Sequence, residues 1–307
     1  MTKAPERPNR KSAFDLRSLA GDRWPPPDWH FEKIAHESSG PESKDGMMGV
    51  IRRMAAQEAP DFADLDWDVE LEAFGSLDLP DYYRQPFHSV PGGYLSEAAA
   101  TNDRRALEAI YQDAHPGRSL GIREDIATLV PENARSVVEF GAGTGDGAAA
   151  IARRFPTARV MALEASPFMI IAGRTQNADL PNLEFVQGLA EETNIAEDSV
   201  DLVLLSFLLH ECPDTIKRDI LDRARRILRP GGMIVLNDTP PDSLDGYRGF
   251  YEPYREQWRD FDPETSLAEA GFEDTSNHEI APTVFTRTAT KTANPSRSTS
   301  PIRSHSS

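Results

Sequence analysis

An α/β fold, a doubly wound seven-stranded Rossmann-like sheet with a C-terminal antiparallel hairpin, is predicted by three observations on this 307-residue chain. A short apolar strand, Ser136 to Phe140, runs through Gly141, Gly143 and Gly145 into an alanine-rich helix. Strand-like and helix-like segments then alternate as far as Asn237, the pattern of a parallel sheet covered on both faces. Two more strand-like runs, Glu273 to Ile280 and Thr283 to Thr290, are joined by Ala281-Pro282 and read as the hairpin.

Taken in order, residues 1–46 are rich in Pro, Ser and charge without a sustained period, and are expected to be largely disordered. Residues 47–121 form a helical and loop extension. Met47, Val50, Ile51 and Met54 recur at helical spacing, so Met47 to Gln57 is expected to be an amphipathic helix that docks on the body or on a second copy of the chain. Asp61 to Glu72 fits a helix or an extended segment equally. Leu79 to Leu95 is aromatic and broken by Pro and Gly, a structured loop, and a helix begins at Ser96 with Glu97 in its first turn and continues through Tyr111. Residues 122–290 carry the main domain. A short helix covers Ile122 to Leu129, and the helix after the glycine loop ends near Arg154. Strands follow at Arg159 to Leu163, Leu183 to Gln187, Val200 to Ser206 and Met233 to Asn237, with helices from Pro167, over Asp214 to Leu228 and over Ser266 to Ala270. Residues 291–307 contain no acidic side chain and read as a disordered basic tail.

Charge narrows the partners. Thirty-three basic against fifty acidic residues give a formal charge of −17, so phosphate backbones and anionic membranes are disfavoured, and a small molecule is the expected ligand. The single cysteine, Cys212, excludes an intramolecular disulfide framework, and the basic start of the chain lacks the apolar core of a signal peptide. A cytoplasmic protein without a membrane span or a metal site is expected.

The glycine loop permits close approach of backbone to a ligand and leaves a helix N-terminus aimed at the same place. Gly143, Gly145 and Ala148 fit the dinucleotide pattern formally, but counting from Gly141, the first glycine after the strand, puts Asp146 where that pattern needs a small residue. Glu139, two residues before Gly141, is a costly buried carboxylate unless it meets a cation or donors, so it either faces a ligand ammonium or caps the turn. Glu164, directly after the second strand, is placed to accept ribose hydroxyls.

Five ordered motifs, Glu139 to Gly145 (EFGAGTG), Ala162 to Ser166 (ALEAS), Gln187 to Glu191 (QGLAE), Asp201 to Glu211 (DLVLLSFLLHE) and Leu228 to Gly232 (LRPGG), together resemble the class I S-adenosylmethionine-dependent methyltransferases over about Glu97 to Thr290. The resemblance implies S-adenosylmethionine as cofactor. Glu139, Gly141, Ala142, Gly143 and Gly145 would hold its methionine part, Glu164 and Ala165 the ribose and adenine edge, and Ala190 with Glu191 the adenine. Ser206 and Phe207 would lie beneath the transferable methyl. Leu189 stands where many relatives carry an Asp for the adenine amino group, so that contact passes to Glu191 or to backbone.

His210 is the candidate general base, against the alternative that it packs or hydrogen-bonds nearby, and Cys212 reads as a small buried residue. For the acceptor, two aromatic segments stand out. Tyr82, Tyr83, Phe87, His88 and Tyr94 precede the main domain, and Pro86 to Leu95 resembles a pattern in methyltransferase-domain proteins of undefined substrate. On a helix, Tyr247, Tyr251, Tyr254 and Trp258 would share one face, with Phe250 and Phe261 nearby. Trp258 reads as packing, whereas His88, Tyr94, Tyr251 and Tyr254 are the expected walls of the acceptor site. The resulting expectation is methyl transfer to a small thioether or amine, an amino acid such as methionine included. The alternatives are O-methylation of a hydroxylated metabolite, a catalytically inactive cofactor-fold binding protein and a nucleotide-dependent oxidoreductase.

Overall fold

The structure is a computed structural model that describes residues 62, 65–75, 77–89, 92–111, 121–241, 251–281 and 284–292. The N-terminal 46 residues, the helix expected over 47–57, Tyr247 and Phe250, and the tail beyond 292 lie outside the described residues.

The described chain opens with α1 (Trp67–Leu71), whose first turn is capped by the Asp66 carboxylate accepting from the Val69 amide at 3.3 Å. A 3-10 turn at Phe87–Ser89 leads to α2 (Glu97–Tyr111) and α3 (Ile122–Ala127). The main domain then runs β1 (Ser136–Phe140), α4 (Asp146–Arg154), β2 (Arg159–Glu164), α5 (Pro167–Gln176), β3 (Leu183–Gln187), β4 (Val200–Ser206), α6 (Asp214–Ile227) and β5 (Leu228–Asp238). It closes with α7 (Arg255–Arg259), α8 (Pro263–Glu269), β6 (Phe272–His278) and β7 (Phe285–Lys291). The strand order is β3-β2-β1-β4-β5-β7-β6, parallel through β5 and antiparallel at the β5–β7 and β7–β6 pairings. The order reverses between β1 and β4, and in open α/β sheets ligands bind at the carboxyl ends of strands beside such a reversal.

Each face of the sheet is covered. Val137, Leu202, Leu204 and Val235 pack with Ile122, Ile126 and Ile151 of α3 and α4, while Val203, Leu205, Ile234 and Leu236 pack with Ile220, Leu221, Trp258 and Leu267. Strand alternation sends successive side chains to these two layers. The central strands therefore read as continuous apolar runs, β4 being buried throughout. At the opposite end from the predicted site, Asp201 accepts from the Arg135 and Ser136 amides at 2.5 and 3.0 Å and pairs with Arg229 at 2.8 Å, fixing the start of β1 against β4 and β5.

Two expectations are corrected. The aromatic helix after β5 does not form as a continuous stripe: α7 begins only at Arg255, because Pro253 lacks an amide donor and holds the preceding residue extended. Tyr251 lies before it in irregular chain and is 45% exposed, so it shares no helical face with Trp258. The hairpin also extends past residue 290. Lys291 belongs to β7, its ammonium reaching the Leu228 carbonyl and the Asp198 carboxylate, both at 2.7 Å.

Trp258 is fully buried, stacks on Phe261 with centroids 4.6 Å apart, and donates from its indole to the Thr239 carbonyl at 3.2 Å. Trp258→Ala is expected to destabilise the fold by about 3–5 kcal/mol, the usual cost of emptying an aromatic core site. Urea unfolding with an unchanged midpoint would show that α7 does not hold the sheet's second layer.

Candidate active site

The first wall of the site is the glycine loop between β1 and α4. Gly141, Gly143 and Gly145 all have positive φ, 60°, 55° and 77°, a conformation that strains other residues. Their surroundings differ. A side-chain carbon at Gly145 would come within 2.5 Å of the Phe185 ring and one at Gly141 within 2.5 Å of Leu208, whereas at Gly143 it would meet only the Asp103 carboxylate at 3.5 Å. Gly143 is thus the loop position with open space in front of it. The Ala142 amide donates to the Leu163 carbonyl at 3.1 Å, tying the loop to β2.

Glu139 is buried, and its Oε2 accepts from the Ala148 amide at 2.6 Å at the start of α4. A side chain on Gly147 would overlap this carboxyl group, so Gly147 is needed for Glu139 to reach the helix. Burial pushes Glu139 up to about 8, against the lowering effects of the Ala148 hydrogen bond and the Arg123 charge. Asp103, on α2, accepts from the Thr144 hydroxyl at 2.9 Å and is pushed up to about 6 by burial and by the Asp146 charge. Arg104 beside it donates to Asp146 at 2.8 Å, so α2 is clamped to the first turn of α4.

Glu164 ends β2 and joins three parts of the chain. Its Oε1 accepts from the Ser166 amide at 2.8 Å and from the Tyr83 hydroxyl at 2.7 Å, and its Oε2 accepts from the Gly143 amide at 2.8 Å. Burial raises its pKa, with these hydrogen bonds opposing the rise. Ala165 and Ala190 are buried next to it in sequence and across the sheet edge, as is Leu189. Glu191 accepts from the Tyr82 hydroxyl. At the ends of the central strands, Ser206 and Asn237 are register partners, and the Ser206 hydroxyl and the Asn237 amide nitrogen are buried with no hydrogen-bond partner. Phe207 follows with φ 56°, unusual for a bulky residue, and the Arg123 guanidinium lies 4.9 Å from its ring.

The second half of the site is a charged cluster. His210 Nδ1 is 2.7 Å from Asp238 Oδ1, and the other Asp238 oxygen accepts from the Leu209 and His210 amides at 3.1 and 3.4 Å. Burial alone would lower the His210 pKa, but the charge and hydrogen bond of Asp238 push it up to about 9. His88 Nδ1 lies 2.6 Å from Glu252, and its Nε2 lies 2.8 Å from Glu211 and 2.9 Å from the Tyr94 hydroxyl. Tyr94 donates to Glu211 at 2.5 Å. Burial opposes protonation of His88, and Glu252 and Glu211 outweigh it, holding the imidazole well above its ordinary value.

The structure therefore brings His88, Tyr94 and His210 together with Glu211 and Glu252, and adds Asp238, to which sequence reasoning assigned no role. Tyr254 stands at the rim, its hydroxyl 3.4 Å from the Tyr82 carbonyl, and Tyr251 donates to Gln85 at 3.1 Å. Both touch the segment before α2, and the Tyr251 carbonyl also accepts from the His88 amide at 3.0 Å. The partners in the cluster are too far apart in sequence for spacing to reveal. Among the described residues no group of His, Cys, Asp and Glu is arranged to hold a metal ion.

These features fit an adenosine-bearing cofactor: a loop whose open glycine is Gly143, a buried carboxylate held by amides beside it, and unpartnered buried polar atoms at the ends of β4 and β5. Residues 137–232 match the methyltransferase domain family. A trans-aconitate 2-methyltransferase of Deinococcus radiodurans is 36% identical over 127 residues, covering 41% of this chain and 46% of that protein. A demethylmenaquinone methyltransferase of Staphylococcus aureus is 32% identical over 113 residues, covering 36% of this chain and 46% of that protein. The chain thus spans about half the length of these curated relatives. Human N-acetylserotonin methyltransferase, solved with its methyl donor, shares the fold at a TM-score of 0.52 and 18% identity, over 73% of this chain and 62% of that one.

The raised Glu139 pKa has a measurable consequence. An acid whose folded pKa lies above its ordinary 4.5 keeps its proton in the folded state while the unfolded chain loses it, so its contribution to stability declines as pH rises from about 4.5 to about 8. Glu139→Gln removes that decline. Urea midpoints at pH 5 and pH 9 should show the variant gaining on the parent at the higher pH, and a constant difference would place a permanently charged carboxylate there.

Proposed function

We propose that this chain, whose core is a class I S-adenosylmethionine-dependent methyltransferase domain, methylates the sulfur or nitrogen of a small neutral thioether or amine. The observation that carries the acceptor class is the charge of the cluster at the ends of β4 and β5. Three carboxylates, Glu211, Glu252 and Asp238, contact two imidazoles and hold them protonated near neutral pH, and the Arg255 charge also acts on Glu252. A nucleophile that becomes a sulfonium or ammonium gains a positive charge in the reaction, and fixed carboxylates stabilise that charge where it develops. A polycarboxylate acceptor such as trans-aconitate would face like charge in the same place.

The cofactor supplies an electrophilic methyl carried on a positively charged sulfur. Glu164 and the Gly143 amide set its ribose side, and Glu191 is the polar group at the adenine side. Ser206 offers its free hydroxyl beneath the reacting atoms. Tyr94 and His88, lying over Glu211 and Glu252, exclude water and position the acceptor's polar end, so the acceleration comes mainly from orientation in a dry site. His210 is held by Asp238 as an imidazolium and donates a hydrogen bond; in that state it has no vacant nitrogen with which to take a proton.

A second reading has its own observation. The His210–Asp238 pair is the arrangement by which a histidine is oriented as a general base for a hydroxyl acceptor. The pH dependence separates the two, because a base with a pKa of about 9 works only as pH rises through that value. A labelled-methyl screen against thioethers, amines, phenols and carboxylates, repeated with His210→Gln from pH 7 to 10, decides between them. Label in a sulfonium or ammonium product, with a modest loss in the variant, is expected. Label in an ether, a rate climbing through pH 9 and a loss of about 10²–10⁴-fold in the variant would identify a hydroxyl acceptor.

A further inference from the structure

The two tyrosines before the main domain each donate to an acidic residue assigned to the cofactor, Tyr83 to Glu164 at 2.7 Å and Tyr82 to Glu191. They come from one short segment that touches the domain at several other points. The His88 amide donates to the Tyr251 carbonyl at 3.0 Å, Tyr251 donates back to Gln85, and the Ser166 hydroxyl donates to the Tyr94 carbonyl at 2.6 Å.

The lone pairs of Glu164 set the argument. An ionised carboxylate offers about four acceptor positions. Two are taken by the Ser166 and Gly143 amides, which belong to the fold around the site and remain whatever binds. Tyr83 takes a third, and the Ala165 backbone amide also bears on the same carboxylate. A ribose presents two neighbouring hydroxyls, and a carboxylate after the second strand is suited to accept both. The Tyr83 hydroxyl and one ribose hydroxyl therefore have the same claim on Oε1. The contact is a donor–acceptor pair of defined direction: burial and the Glu164 charge keep the phenol protonated.

We infer that Asp81 to His88 is a strap over the cofactor seat, with the Tyr83 hydroxyl standing on Glu164 where a ribose hydroxyl would stand. Cofactor and strap then compete for one carboxylate, and Tyr82 on Glu191 does the same at the adenine side. The anchoring of His88 between Glu211 and Glu252 lets the tyrosine end lift while the far end of the strap stays at the acceptor cluster. This inference rests on the reading of Glu164 as the ribose acceptor.

The test uses the full chain and S-adenosylhomocysteine in titration calorimetry, with Tyr83→Phe and Glu164→Gln compared to the parent. Tyr83→Phe removes a hydrogen bond to a charged group that the ligand would have to displace, so affinity for the ligand should rise about tenfold. Unchanged or weaker binding by that variant overturns the strap, since it would mean that the phenol is indifferent to the ligand or contacts it. Glu164→Gln tests the underlying reading separately: weaker binding supports it, and unchanged binding removes the seat for which the strap was said to compete. Hydrogen exchange on the parent protein gives an outcome independent of any variant. Amides of residues 81–88 should exchange faster when S-adenosylhomocysteine is added, and protection of that segment would show a lid that closes over the ligand instead.

Discussion

The carboxylate of Glu164 is the point through which the rest of the site is assembled. It lies at the end of β2, buried, where an unsatisfied charge would be untenable, and its partners are drawn from three separate stretches of chain. The Gly143 amide reaches it because the loop turns with a positive φ, and the Ser166 amide reaches it because Ser166 is also the cap of α5, its hydroxyl accepting from the Met169 amide at 3.3 Å. Satisfying one charge thus fixes the shape of the loop, the start of a helix and the seat of the preceding strap.

Glu139 performs a parallel task one strand away. Glu164 is the last residue of β2 and Glu139 the last but one of β1, both are raised by burial, and both are held by amides of the following turn or helix. Their proximity to Asp103 and Asp146 gives this edge of the sheet a concentration of acids countered by Arg104 and Arg123. The formal charge of −17 is therefore not only a property of the surface. Part of it lines the region where a sulfonium-bearing ligand is proposed to sit, Glu139 adding its charge only as pH rises toward about 8, and low dielectric strengthens the attraction for a positive charge.

The sequence revealed what depends on local pattern. The strand, glycine loop and helix from Ser136 to Arg154 were legible because a β-branched run, three glycines and an alanine series each constrain a few neighbouring residues. The strands from Arg159 to Ser206 were legible for the same reason, whereas β5 begins at Leu228, five residues before the expected Met233, and the antiparallel end of the sheet followed from two short runs with a Pro between them. The charged cluster was not legible, since His88 meets Glu252 across 164 residues and Tyr82 meets Glu191 across 109. Nor was the broken stripe after β5. Tyr251, Tyr254 and Trp258 have helical spacing, but spacing describes a face only if the backbone is helical, and Pro253 within the run works against that.

The same distance in sequence explains why the N-terminal segment matters to the chemistry. A methyltransferase sheet alone would leave Glu164, Glu191 and Glu211 open to water at the carboxyl ends of its strands. Covering them requires donors, because an apolar lid would strand their charges, and Tyr83, Tyr82, Tyr94 and His88 are donors carried on largely apolar rings. His88 achieves this in a left-handed conformation, φ 54°, which a non-glycine residue adopts at a cost. Its amide, both ring nitrogens and the neighbouring Tyr94 hydroxyl all have partners, so the strain is offset by contacts on every side. Phe87 of the same segment is buried between the Tyr94 and Tyr254 rings and Tyr82 packs on the core, so apolar burial and these polar contacts together seat the segment against the ends of the strands.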